Sequence, residues 1–119
     1  MTTMVDDATV HTLLFAARVT RDASLAYYTT QSETGGRPAP DNTYLANLEW
    51  QMQLDEAIVE FYEGMVAALP VSMHHVREAA ADASRQCEDA YAEYLPMQAR
   101  VRMLARAIAL HALTTMMAE

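Results

Sequence analysis

Apolar residues recur along this chain at spacings of three and four, and three breaks cut the pattern into four segments: the Gly35–Pro40 run, Pro70 and Pro96. None of the segments alternates with the period of two that a half-buried strand requires, so each predicts a helix. The first, about residues 6–32, places Val10, Leu13, Leu14, Ala17, Leu25 and Tyr28 on one stripe, with Phe15, Val19 and Ala26 on a weaker second face. Arg21 falls in the middle of the main stripe. Asp6 or Asp7 suits the N-cap, where a carboxylate accepts from free backbone amides and meets the positive end of the helix dipole.

The second segment, about 42–69, has a much wider apolar arc holding Leu45, Leu48, Met52, Leu54, Ile58, Val59, Phe61, Tyr62, Met65, Val66 and Leu69. A helix of this kind is expected to be covered on two sides. Asp55 lies inside the arc, while Glu49, Glu56, Glu60 and Glu63 share the narrow remaining face, and the segment has no basic residue. The third, about 72–95, opens on Ser72 as N-cap, with Val71 and Val76 placed as a hydrophobic staple. Its seam, Met73, Val76, Ala80, Ala83, Cys87, Ala90 and Tyr94, has small residues in the middle that invite close approach of a neighbour. The fourth, about 97–117, shows Met97, Val101, Leu104, Ile108, His111 and Thr115 on one face and Met103, Ala107, Leu110 and Met117 on another. Arg100, Arg102 and Arg106 make it the one basic segment, and charge pairs it with the second.

Four helices with short connections predict an all-α fold: an antiparallel four-helix bundle, one domain over 1–119, with helices shared across a homodimer as the main variant. The double-proline stretch around 34–41 is expected to be a surface crossing.

Composition narrows the function classes. The chain of 119 residues is 52% apolar and 20% charged, which excludes disorder, and its formal net charge is −8 with all eight basic residues Arg. Such a balance argues against phosphate neutralisation, so no direct nucleic-acid contact is expected, and a basic protein partner is. No apolar run approaches the ~20 residues that span a bilayer, so no membrane association is expected. Acidic residues near the start, where a secretory leader is basic, and a single cysteine, Cys87, predict a cytoplasmic protein. Nine methionines serve by default as core filler.

One constellation suggests catalysis. Glu60-Phe61-Tyr62-Glu63 is followed by Glu78-Ala79-Ala80-Ala81-Asp82, giving two pairs of carboxylates that each project from one helix face, a donor set suited to Mg²⁺. Over these twenty-three residues the chain resembles the all-α nucleoside triphosphate pyrophosphohydrolases of the MazG-like group. Their motif is E-x-x-E, a spacer, then E-x-x-D, on helices that hold Mg²⁺ over a triphosphate. The second half here is one residue too long, and no Lys is present to meet phosphates, so a solvated acidic face is the favoured reading. A ferritin-like dimetal site wants Glu-x-x-His on two helices, and none occurs; His11, His74, His75 and His111 show no metal spacing and read as surface or core-edge side chains. Neither a nucleophile elbow nor a glycine-rich phosphate loop is present.

The two misplaced charges, Arg21 and Asp55, are expected to form a bridge that fixes the register of the first two helices, because both stand seventeen residues from residue 38. With no cofactor, no metal set and no catalytic set beyond the alternative one, the expected function is that of a small acidic interaction or adaptor protein, homo-oligomeric, with Glu49, Glu56, Glu60 and Glu63 as the partner face. A Mg²⁺-dependent pyrophosphohydrolase and an acidic nucleic-acid mimic are the alternatives.

Overall fold

The structure, a computed structural model, describes residues 3–33 and 43–117. It holds four helices, α1 (Asp7–Glu33), α2 (Thr43–Ala68), α3 (Met73–Ala92) and α4 (Met97–Met117). Among the described residues there is no strand, only an isolated antiparallel bridge between Met4 and Ser72. The expected 34–41 crossing, the side chain of Leu45 and Glu119 lie outside the described residues. No helix is long and apolar enough to cross a membrane among the residues described.

The starts of α1 and α3 are specified locally. Asp6 caps α1, its Oδ1 accepting from the Ala8 amide at 3.0 Å. Ser72 caps α3 with extended backbone, its Oγ accepting from the His75 amide at 3.2 Å. Before each cap stands a valine that packs against another at the fifth position after it, Val5 with Val10 and Val71 with Val76, and all four belong to one apolar cluster. The two caps are also tied together: the Val5 amide donates to the Val71 carbonyl and the Met73 amide to the Thr3 carbonyl, both at 2.7 Å. A short N-terminal strap therefore closes this end of the molecule, which the periodicity of the helices gave no means to foresee.

Consecutive helices run antiparallel, and α1 packs along α2 as α3 packs along α4. The bundle is nevertheless sheared. In a square arrangement α4 would lie against α1 and α2 against α3; here the parallel pair α2 and α4 comes together instead, α1 touches α4 at few positions, and α2 and α3 make no close backbone approach. The cause lies in Ala105 and Ala109 on α4, both fully buried, which let α2 approach closely enough for the Tyr62 hydroxyl to donate to the Ala109 carbonyl at 2.8 Å. The buried residues of α4 are Val101, Ala105, Ala109, Leu110 and Leu113: Leu110 belongs to the second of the two expected faces, whose Met103, Ala107 and Met117 are half-buried, while Ala105, Ala109 and Leu113 lie between the two, and Met97, Ile108, His111 and Thr115 of the first face are exposed.

Two further differences follow from helix ends. The third helix stops at Ala92 rather than near 95, because Tyr94 takes a left-handed conformation (φ 56°) and the Leu95 amide turns back to the Ala90 carbonyl. Tyr94, placed on the seam by its spacing, is instead 85% exposed. At the other hairpin, Gln53 of α2 lies level with Gln98 of α4, both lining one groove, so the first turns of α2 and the last turns of α1 reach past the start of α4. Leu25 is exposed for that reason. The molecule measures 60 × 33 × 23 Å.

Candidate functional site

Asp55 is the most unusual side chain in the molecule: a carboxylate 5% exposed, within an arc of apolar residues. Its expected partner is not the one it has. Arg21 is half-buried and turns to its neighbour Asp22, donating from Nε to Oδ1 at 3.1 Å. Asp55 instead accepts from the Ser24 hydroxyl on α1 and from Gln51 Nε2 one turn back on α2, at 3.1 Å for the latter. Among the described residues no arginine or histidine forms an ion pair with it. The error is one helical turn. Ser24 with Asp55, and Arg18 with Glu63, which bridge at 3.1 Å, are both symmetric about a point near residue 40 rather than 38, so the register brings Ser24 where Arg21 was expected.

Around Asp55 the shear of the bundle leaves an apolar cleft between α1, α2 and α4 of about 190 Å³. Leu13, Ala16 and Thr20 form one wall, Ile58 and Tyr62 the floor beside Asp55, and Ile108 with Ala112 the other wall. Burial pushes the Tyr62 phenol up to about 12, so its hydroxyl keeps the proton it donates to Ala109. A second apolar groove, lined by Ala23, Ser24, Tyr27, Leu48 and Gln51, continues along the same seam, with the Asp55 carboxylate between the two. Ser24 and Gln51 escaped the sequence reading because neither is charged. Their one signal was position: a polar residue beside a misplaced acid on the face turned towards the neighbouring helix.

The acidic face of α2 is real but partly spent. Glu49, Glu56, Glu60 and Glu63 are all exposed; Glu60 bridges Arg102 of α4 at 3.0 Å and Glu63 bridges Arg18 of α1. Arg102 supplies the expected attraction between α2 and α4, whereas Arg100 stacks over the Tyr91 ring at 5.5 Å and donates to the Leu95 carbonyl, fastening the α3–α4 turn. Glu49 and Glu56 are without an ion pair among the described residues.

The four residues of the pyrophosphohydrolase-like pattern are not brought together. Glu60 and Glu63 leave α2 towards α4 and α1, while Glu78 pairs with His74 and Asp82 with Arg85 on α3, a helix that α2 does not closely approach. Among the described residues no group of three or more potential ligands converges on a metal position. All four histidines are exposed. Cys87 is buried, and burial raises its thiol pKa, the opposite of what a nucleophile needs.

No protein-family model matches the chain, and neither a curated protein nor a solved structure does.

Proposed function

We infer that this chain is a cytoplasmic interaction protein that self-associates through the outer face of α1 and offers the free carboxylates of α2 to a basic protein partner. The observation that carries the reading is the outer face of α1. Phe15 is 71% and Val19 53% exposed, and with Ala8, Thr12, Ala16, Ala23, Ala26 and Tyr27 they form a strip without charge, in a molecule of net charge −8. The spacing of Ala8, Thr12, Phe15 and Val19, alternately four and three, is that of a seam between two helices. A second copy meets least repulsion there, since the neighbouring charges Arg18, Arg21 and Asp22 are each neutralised within the subunit.

A strip some 120° wide along residues 8–30 covers about 500 Å² per protomer at helical dimensions, roughly 1,000 Å² in total, at the lower bound for a specific interface. On the acidic side, Glu49 and Glu56 are the carboxylates left for a partner. The two alternatives gain no support: the pyrophosphohydrolase carboxylates sit on helices that stay apart, and a nucleic-acid mimic needs a long row of free acids where two of four are bridged.

Sedimentation equilibrium at micromolar concentration tests the reading. Wild type should sediment at twice 13.2 kDa, and Phe15→Glu, which places a charge on the strip without touching the core, should sediment as a monomer. A wild type found only at 13.2 kDa would reject self-association.

A further inference from the structure

We propose that the apolar cleft between α1, α2 and α4 is a binding site for a primary ammonium group on a short aliphatic chain, with Asp55 as its counter-ion. A carboxylate withdrawn from water among apolar side chains is costly unless an opposite charge compensates it, and the described residues supply none: the donors to Asp55 among them, Ser24 Oγ and Gln51 Nε2, are both neutral. Those two donors approach the carboxylate from the α1 and α2 sides, one on each oxygen. A carboxylate has about four acceptor positions, so about half its capacity is unused, and Asp55 lines the cleft.

The shape of the cleft selects the ligand. Its 190 Å³ corresponds to roughly six water volumes, room for five to seven heavy atoms, well under the size of a cofactor or nucleotide site. Its walls, Leu13, Ala16, Ile58, Ile108 and Ala112, are aliphatic, and among the described residues no charge other than that of Asp55 lines it. One acceptor position stays free on each oxygen; a guanidinium fork would have to engage both at once, whereas a compact ammonium needs only one. The net charge of −8 draws a cation towards the site from a distance. Ammonium on an alkyl chain arises in two ways, as a free small amine or as the lysine side chain of a protein, and the cleft recognises their shared chemistry.

The test is titration with n-hexylammonium chloride, 1-hexanol and the peptide acetyl-Gly-Lys-Gly-amide, followed by calorimetry and by the methyl resonances of Ile58 and Ile108. Hexylammonium should saturate and shift those methyls, and the isosteric alcohol should bind at least roughly tenfold more weakly, because it cannot pair with the carboxylate. In Asp55→Asn the amine should lose about that same factor while the alcohol is unaffected. Ile108→Trp, which fills the cleft from its exposed rim, should block both, and it decides the question if Asp55→Asn fails to fold. Binding of the peptide as well as of hexylammonium supports a lysine side chain as the natural occupant; binding of hexylammonium without the peptide supports a free amine. The proposal is overturned if hexylammonium does not saturate by about 20 mM, if alcohol and amine bind alike, or if Ile108→Trp leaves amine binding unchanged.

Discussion

Tyr94 occupies a backbone position that helices usually give to glycine. Its φ of 56° lets α3 close through the Leu95 amide, but a side chain in that conformation costs about 1 kcal/mol or more relative to glycine. The ring is exposed and contributes no packing that its removal would forfeit, so Tyr94→Gly should raise the urea unfolding free energy by about 1 kcal/mol. Tyr62 makes the opposite case, a buried ring whose hydroxyl holds two helices. Its folded pKa of about 12 exceeds the ordinary 10, so the stability tied to the protonated phenol is complete below pH 10 and is lost as pH rises from 10 towards 12. Tyr62→Phe should cost about 1 kcal/mol at neutral pH for the lost hydrogen bond and should flatten the fall in stability above pH 10. The distinction between these two tyrosines was invisible in periodicity, which set both on apolar faces; it depends on where α3 stops and on which helix lies over α2.

At the scale of elements, the cap of α3 was legible outright and that of α1 to within one residue, Asp6 rather than Asp7. Asp6 and Ser72 do what their side chains suit them for, and the Val71–Val76 staple forms as its spacing requires. The contacts between helices were legible only in part, because large side chains dominate an apolar pattern. The buried line of α4 runs through Ala105 and Ala109, residues whose value lies in what they leave out, and no moment computed from hydrophobicity singles them out from the other alanines of this chain. Enlarging one tests the point: Ala109→Leu forces α2 and α4 apart, and should destabilise by roughly 1–3 kcal/mol although it adds apolar surface. The register of α1 on α2 failed for a related reason. Counting from an assumed midpoint is accurate to no better than a turn, and one turn separates Arg21 from Ser24.

For the molecule as a whole, the four helices and their antiparallel order follow from the sequence, while the shear does not, since it reflects a choice between two pairs of neighbours that only small residues distinguish. Both the apolar cleft and the bare outer face of α1 result from that choice, which is why neither could be drawn from the four segments taken singly. The N-terminal strap has its own consequence, which concerns kinetics. Each hairpin is built of local contacts and can form early, whereas the pairing of Val5 with Val71 closes a loop of more than sixty residues and is expected to form late. Contacts made after the transition state govern how fast a protein comes apart rather than how fast it assembles. Val5→Ala should therefore leave the refolding limb of a chevron nearly unchanged and steepen the loss of the native state, the unfolding rate rising by roughly tenfold for about 1.4 kcal/mol of lost stability. The strap acts as a latch: three residues at the edge of the fold set the lifetime of an assembly whose helices would find each other without them.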